Sequence, residues 1–323
     1  MKHGCKERII ACCKGLATGD AIGKQSEMLS RAQVLRCYPD GINGFHGRPG
    51  DIIPRYIGNQ KREWRIGETT DDTEQTIAVA RAILREGKVS HTAVGEELLH
   101  CKKSNHSGVK SLWTFQQIGD PNRIASEGNG CGAAMRVAPI GMLYSSKRLD
   151  DLVRGAYESS IPTHGGQLAV CAAAAVASAV SAAIDGKSVG EVLNLAVKAA
   201  AKAEQYRPPA SITIATSIQE IYEDLSRLDK LVVDYMTEKY FPDKPVTIVP
   251  LAINLALITE SAEETILLAA NVGGDADSVA SIGGGIAGAL HPITVNQDWY
   301  NIVERVNEND LISVVEALAR LRQ

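Results

Sequence analysis

The sequence predicts an all-α protein. Ala, Leu, Ile and Glu dominate long stretches of its 323 residues, and aromatic residues total only 5%. Segments that alternate aromatic or β-branched residues with polar ones, the pattern of half-buried strands, are scarce. Helices so rich in Ala and Gly can approach one another closely, as a compact multi-helix domain packed in several layers requires.

Along the chain, a first helix is expected over residues 7–22. The next segment, 37–66, carries Pro39, Gly41, Gly44, Gly47, Pro49, Gly50, Pro54 and Gly58. No regular helix runs through it, so it reads as a long surface loop of the kind that is often functional. Helices are expected over 72–86 and 91–103. A second irregular stretch, 119–132, joins Pro121, Gly128, Gly130 and Gly132 before a helix restarts at Ala133. Further helices are expected over 167–183, 189–203, 211–226, 249–258, 263–272, 277–290 and 311–321. The longest apolar run, 168–184, is mostly Ala with Ser interspersed; Ala is too weakly hydrophobic for a convincing membrane span, and the run reads as a buried helix. There is no internal repeat, low-complexity tail or Pro/Ser-rich linker, so a single domain over 1–323 is expected.

Hydrophobic residues at 45% and charged residues at 22% suit a globular chain with a substantial core. A formal net charge of −4 offers no global attraction for nucleic acid or an anionic membrane. Neither stable nucleic-acid binding nor membrane association is expected, whereas a local basic pocket for a small anionic ligand remains open. The seven cysteines, Cys5, Cys12, Cys13, Cys37, Cys101, Cys131 and Cys171, include no C-x-x-C pair and no zinc-ligand spacing. Reduced thiols and a cytoplasmic location are expected. Near the start, Lys6, Glu7, Arg8 and Lys14 bracket only Ile9 to Cys13, which is too short for a signal peptide.

Two acidic constellations carry the chemistry. Thr69-Thr70-Asp71-Asp72-Thr73 precedes a helical sequence, and Gly273-Gly274-Asp275-Ala276-Asp277-Ser278 leads into a small-residue helix. Thr and Asp also cap helices, and the helix dipole favours negative charge in a first turn, so the first segment alone does not separate a cap from a ligand set. Asp275 and Asp277 have no Lys or Arg near them in sequence, the closest basic residue downstream being His291. Burying them beside an Ala/Gly helix would be costly without a cation. Together, the four carboxylates with the hydroxyls of Thr70 and Ser278 form an all-oxygen set suited to hard ions such as Mg²⁺ or Mn²⁺.

With these landmarks the chain resembles the ADP-ribosylglycohydrolase family. The resemblance covers nearly the whole sequence. It begins with Gly15-Leu16-Ala17-Thr18-Gly19-Asp20-Ala21-Ile22-Gly23 and continues with Thr70-Asp71-Asp72-Thr73. Next come Gly128-Asn129-Gly130 with Ala134-Met135-Arg136-Val137-Ala138-Pro139, then Thr163-His164, and finally the Gly273 to Ser278 element with Ile286-Ala287-Gly288-Ala289. The resemblance implies an all-α fold and a binuclear Mg²⁺ (or Mn²⁺) centre held by Thr70, Asp71, Asp72, Asp275, Asp277 and Ser278. Ser278 stands where Thr is frequent, and either residue supplies a hydroxyl oxygen.

The same resemblance places Glu27 at the position of a mobile acid that contributes to catalysis, with Asp71 and Asp277 as catalytic ligands. It sets Ser126, Gly128, Asn129 and Gly130 against the diphosphate and adenosine of ADP-ribose, and His164 near the distal ribose or phosphates. Glu127 stands where some relatives carry an aromatic, which argues against adenine stacking there. Asp20 reads as structural, and Arg136 could pair with a buried acid as readily as with phosphate. The implied activity is metal-dependent cleavage of the N- or O-glycosidic bond between ADP-ribose and a modified protein or nucleic acid. Two alternatives stay open: a non-catalytic ADP-ribose-binding protein, and a metal-dependent phosphohydrolase. The acceptor is not legible, and the 37–66 loop is the expected lid that decides it.

Overall fold

A computed structural model describes residues 4–58, 62–104, 110–207 and 212–323. Among the described residues there are 17 α-helices and no strands. In order they are α1 (Cys5–Gly23), α2 (Arg31–Cys37), α3 (Asp71–Glu86), α4 (His91–Leu98), α5 (Lys110–Ile118), α6 (Gly132–Met135), α7 (Ala138–Leu143), α8 (Leu149–Ser160) and α9 (Gln167–Ile184). There follow α10 (Val189–Ala203), α11 (Ile214–Leu225), α12 (Val233–Tyr240), α13 (Pro245–Ile258), α14 (Ala262–Val272), α15 (Ala276–Leu290), α16 (Gln297–Asn307) and α17 (Leu311–Ala319).

The Ala-rich helix α9 is the centre of the core: every residue in it except Leu168 is buried, and α7, α8, α10 and α15 pack around it. It is long and apolar enough to cross a membrane, but 94% of it is covered by the rest of the protein. Small side chains let four helices crowd one another here, where Leu or Phe would hold them apart.

The contact that builds the site is α1 against α15. Gly15, Gly19 and Gly23 recur every fourth residue and so share one face of α1. A Cβ on Gly15 would lie 2.1 Å from Gly284 O, one on Gly19 2.0 Å from Ala280 O, and one on Gly23 2.6 Å from Asp277 Cα. The two backbones touch along three turns, which sets the C-terminal end of α1 beside the N-terminal end of α15. The turn into α15 is equally constrained. Gly273 (φ 81°) and Gly274 (φ 64°) are left-handed, a conformation glycine adopts without a steric cost. Gly274 donates its N–H to Leu29 O at 2.8 Å and accepts from Met28 N at 2.6 Å, while Asp275 N–H donates to Pro242 O at 2.8 Å.

Several expected boundaries shift. The helix expected over 91–103 stops at Leu98, because the Glu74 carboxylate accepts the N–H groups of Lys102 (2.9 Å) and Lys103 (2.8 Å) and turns the chain away. Helices α2, α5, α8, α12 and α16 arise in stretches that are amphipathic rather than Ala-rich, and composition passes over them. The segment 37–66 is irregular, as expected, but it is not simply a surface loop. Ile53, Tyr56, Trp64 and Ile66 bury one another in a small cluster of their own, and Tyr38 and Ile42 pack under α14. Residues 59–61 of this segment lie outside the described residues.

Candidate active site

Thr70 is the N-cap of α3, its Oγ1 accepting from Asp72 N–H at 3.2 Å. Buried Asp20 of α1 reaches across to the same turn. Its carboxylate accepts from Thr70 N–H (2.9 and 3.0 Å), Thr73 N–H (3.1 Å) and Thr73 Oγ1–H (2.5 Å). Asp20 therefore shares the capping with Thr70, the structural role expected of it. That leaves Asp71 and Asp72, the first two residues of α3, free of the capping task.

These carboxylates face the start of α15. The Ser278 hydroxyl bonds Asp72, and the charges of Asp71, Asp275 and Asp20 all bear on it. Asp277 feels Glu27, Asp275 and Asp72. Asp71, Asp72 and Asp277 are each at most 4% exposed. Asp71 Oδ2 accepts from Gln75 Nε2 at 2.9 Å and Ser104 Oγ at 3.2 Å. By contrast Asp72 Oδ1 and Asp277 Oδ1 are buried without a hydrogen-bond partner. Such oxygens are costly to strand away from water. Burial first, then mutual repulsion, pushes Asp72 and Asp277 well above the usual carboxylate range. Burial and Glu27, partly offset by Lys24, push Asp71 up to about 6. Among the described residues no three acidic, imidazole or thiol groups already converge on one point as a closed cage. A set that also relies on hydroxyl ligands need not form such a cage, and the two stranded oxygens fit a cation shared between α3 and α15.

The structure adds groups that sequence reasoning missed. Asp277 lacks a basic neighbour in sequence but not in space. Lys24, one residue past α1 and buried, contacts the Glu27 carboxylate, stands 4.0 Å from Asp277 Oδ2 and lies 4.1 Å above the Trp64 ring. Burial would push the Lys24 ammonium down, but Glu27 and Asp277 outweigh it and hold it above its ordinary value. Its signal was the i, i+3 spacing to Glu27, which has no force without the fold. Glu27 itself is not a solvated surface acid: its side chain is 15% exposed, and the Tyr56 hydroxyl is 3.5 Å from its Oε2. Cys131, just before α6, donates its thiol to Asp275 Oδ2 at 2.9 Å.

The loop 125–130 lies beside this cluster, folded over the start of α9. Gly165 N–H donates to Glu127 O (2.8 Å) and Gly166 N–H to Gly128 O (3.1 Å). Leu168 N–H donates to the Asn129 side chain at 3.0 Å, so Asn129 serves partly as a helix cap. Ser126, Asn129 and Gly130 are exposed. Ser126 and Gly128 border a cavity of about 260 Å³ with Arg123, Thr114 and Thr163. A larger cavity of about 530 Å³ lies between α14 and residues 293–296, and none of the acidic cluster lines it; chemistry rather than size locates the site.

His164 is buried beneath this loop, its ring against Gly130 and Gly132. Arg136 Nη2 donates to Thr163 Oγ1 at 2.8 Å, and Thr163 Oγ1 lies 2.7 Å from His164 Nδ1. The Thr163 hydroxyl thus links Arg136 to the His164 ring. Arg136 meets neither a buried acid nor an open phosphate surface: it holds Gln75 Oε1 (2.8 Å) and Ser159 O (2.9 Å). Burial, aided by Arg136, pushes the His164 imidazole down to about 3. The unfolded chain takes up this proton below pH 6.5 and the folded chain does not, so stability is lost as pH falls toward 3. Replacing His164 with Gln should make the loss between pH 7 and pH 5 smaller by about 2 kcal/mol. Denaturation midpoints of both proteins at the two pH values check this.

Fold and site together define a helical protein whose acidic centre is assembled from two helix N-termini beside a glycine-rich loop. The chain belongs to the ADP-ribosylglycohydrolase family, whose pattern it matches over residues 1–323. It is 30% identical to the uncharacterized protein YegU of Escherichia coli (strain K12), covering 98% of each chain. It is 23% identical to the ADP-ribosyl-[dinitrogen reductase] glycohydrolase of Rhodospirillum rubrum, over 98% of this chain and 96% of that one. A solved structure described as an ADP-ribosylglycohydrolase-related protein complex shares the fold with a TM-score of 0.73, at 23% identity and 99% coverage of both chains.

Proposed function

We propose that this chain hydrolyses the glycosidic bond joining ADP-ribose to a modified acceptor. The observation that carries the reading is the pair of stranded, buried carboxylate oxygens on Asp72 of α3 and Asp277 of α15 in a chain of this family. Two Mg²⁺ (or Mn²⁺) ions held by Thr70, Asp71, Asp72, Asp275, Asp277 and Ser278 would supply charge stabilisation and fix the distal ribose through its hydroxyls.

The protein groups then have distinct tasks. Gln75 and Ser104 hold the Asp71 carboxylate in one orientation, and Arg136 in turn holds Gln75. Orientation of this kind is what converts a bound ribose into one positioned for attack. Glu27, held by Lys24 and next to the Tyr56 hydroxyl, is the proton carrier between water and the leaving atom. In the 125–130 loop the carbonyls of Glu127 and Gly128 turn toward α9. Across a trans peptide the N–H points the opposite way, so Gly128 and Asn129 offer N–H groups to the diphosphate. His164, buried and neutral, supports the same loop from beneath.

The reading is tested by chromatography of the products from ADP-ribosylated proteins and oligonucleotides. Free ADP-ribose with an unmodified acceptor supports it. Tight ADP-ribose binding without turnover indicates a non-catalytic protein, and inorganic phosphate with the glycosidic bond intact indicates a phosphohydrolase.

Metal occupancy should also register in stability. Folded Asp71, Asp72 and Asp277 hold their protons above the ordinary 3.8, so in the ion-free protein they withdraw stability as pH rises. A cation competes with those protons and gains as they leave. The rise in melting temperature on adding Mg²⁺ to chelator-treated protein should therefore be larger at pH 8 than at pH 5.5. Equal shifts would contradict a carboxylate site.

A further inference from the structure

On the side away from the acidic cluster, Glu27 has two cations near it. Lys24 contacts its carboxylate, and Tyr56 lies 3.5 Å from it. Arg55, on the same loop as Tyr56, lies over the Tyr56 ring at 4.1 Å, donates to its hydroxyl and donates to Lys24 O at 3.2 Å. The two cations differ in how they are compensated. Lys24 is shared by Glu27 and Asp277, whereas no ion pair joins Arg55 to a carboxylate among the described residues. The Arg55 Nε is also buried without a hydrogen-bond partner. Arg62, which stacks on Trp64 nearby, is neutralised by Glu68. Arg55 is thus a partly buried cation with spare charge and a spare donor, one hydroxyl away from Glu27.

From this arrangement we infer that Arg55 determines specificity, favouring ADP-ribose linked to an uncharged hydroxyl over ADP-ribose linked to a guanidinium. The inference rests on the reading of Glu27 as the group that transfers a proton at the leaving atom, since that atom then sits within hydrogen-bond reach of Glu27 and close to Arg55. A guanidine-linked acceptor brings a second cation to this place and is repelled. A hydroxyl-linked acceptor brings none. In the favoured reaction the bond between the anomeric carbon and the acceptor oxygen breaks, and the anomeric carbon bonds to the oxygen of water. The acceptor oxygen takes one proton, so water is the only co-reactant.

The test compares kcat/KM for one peptide sequence carrying ADP-ribose on Ser with the same sequence carrying it on Arg. Wild type is expected to favour the Ser-linked peptide by at least about 10-fold. Arg55→Glu should shrink that ratio about 10-fold, with Arg55→Gln between the two. Rising ionic strength should raise turnover of the Arg-linked peptide relative to the Ser-linked one in wild type, a readout that does not depend on a variant folding. A wild-type preference for the Arg-linked peptide overturns the inference while leaving the hydrolase reading intact. So does a ratio that responds neither to salt nor to the variants. Turnover of neither peptide, with the protein folded and Mg²⁺ present, overturns this inference, and the oligonucleotide products described above then decide the hydrolase reading separately.

Discussion

Asp277→Asn is expected to lower Mg²⁺-dependent ADP-ribose release by about 10³-fold while making the ion-free protein more, not less, resistant to denaturation at pH 7. The two effects share one cause. Asp277 is buried among Glu27, Asp275 and Asp72, with Lys24 its only ion-pair partner among the described residues and Oδ1 unpartnered. Without a divalent ion the negative charge is a burden on the fold, and an amide of the same shape relieves it. With the ion, the same charge would serve as a ligand. A purely structural aspartate would behave in the opposite way, since its removal would destabilise the protein. Release assays and chelator-treated denaturation curves on the same preparations separate these cases, and a destabilised variant with full activity would exclude the ligand role.

Gly19→Ala is expected to destabilise the protein by about 3 kcal/mol and to lower activity although Gly19 touches no substrate. The added Cβ would lie 2.0 Å from Ala280 O and 2.5 Å from Ala280 C, both backbone atoms of α15. A side chain could rotate aside; a helix backbone cannot, so α1 must move off α15. Gly23, Lys24 and Glu27 move with it, and they are the groups set against Asp277. Gly190→Ala in α10 is the control, because no atom lies within 4 Å of the added Cβ. There the helix propensity of Ala should leave stability equal or improved by up to about 1 kcal/mol. Denaturation midpoints of the two variants should therefore move in different directions, and similar shifts would argue against close backbone packing as the cause.

The glycine stripe also shows what the sequence discloses and what it withholds. Helices α9, α10, α14 and α15 are legible because Ala-rich runs have few other conformations that bury them well, and Gly273-Gly274 marks a turn that demands left-handed backbone. Both acidic constellations can be read for the same local reason: they sit at helix starts. Helices α8 and α16 escape a reading by composition because their apolar residues, such as Leu152, Val153 and Ala156 in α8 or Tyr300 and Val303 in α16, are spaced among charged ones. The site groups that escape do so because their meaning is tertiary. Lys24 approaches Asp277 from the opposite end of the chain, Cys131 meets Asp275 across a helix junction, and Asp20 helps cap a helix fifty residues on. The 37–66 segment misleads in a further way. Its Gly and Pro residues announce a loop correctly, but Ile53, Trp64 and Ile66 come together only once the loop folds back on itself.

If the carboxylates of α3 and α15 form a divalent-metal centre that drives release of ADP-ribose, metal occupancy and release rise together. The most direct measurement strips the protein with a chelator, titrates Mg²⁺ back, and follows in one experiment the heat of binding and the release of ADP-ribose from a modified peptide. Binding of Mg²⁺ and recovery of release that rise together, both abolished by Asp277→Asn, are the predicted result. Release that is undiminished in the stripped protein, or Mg²⁺ binding that Asp277→Asn leaves intact, would contradict it.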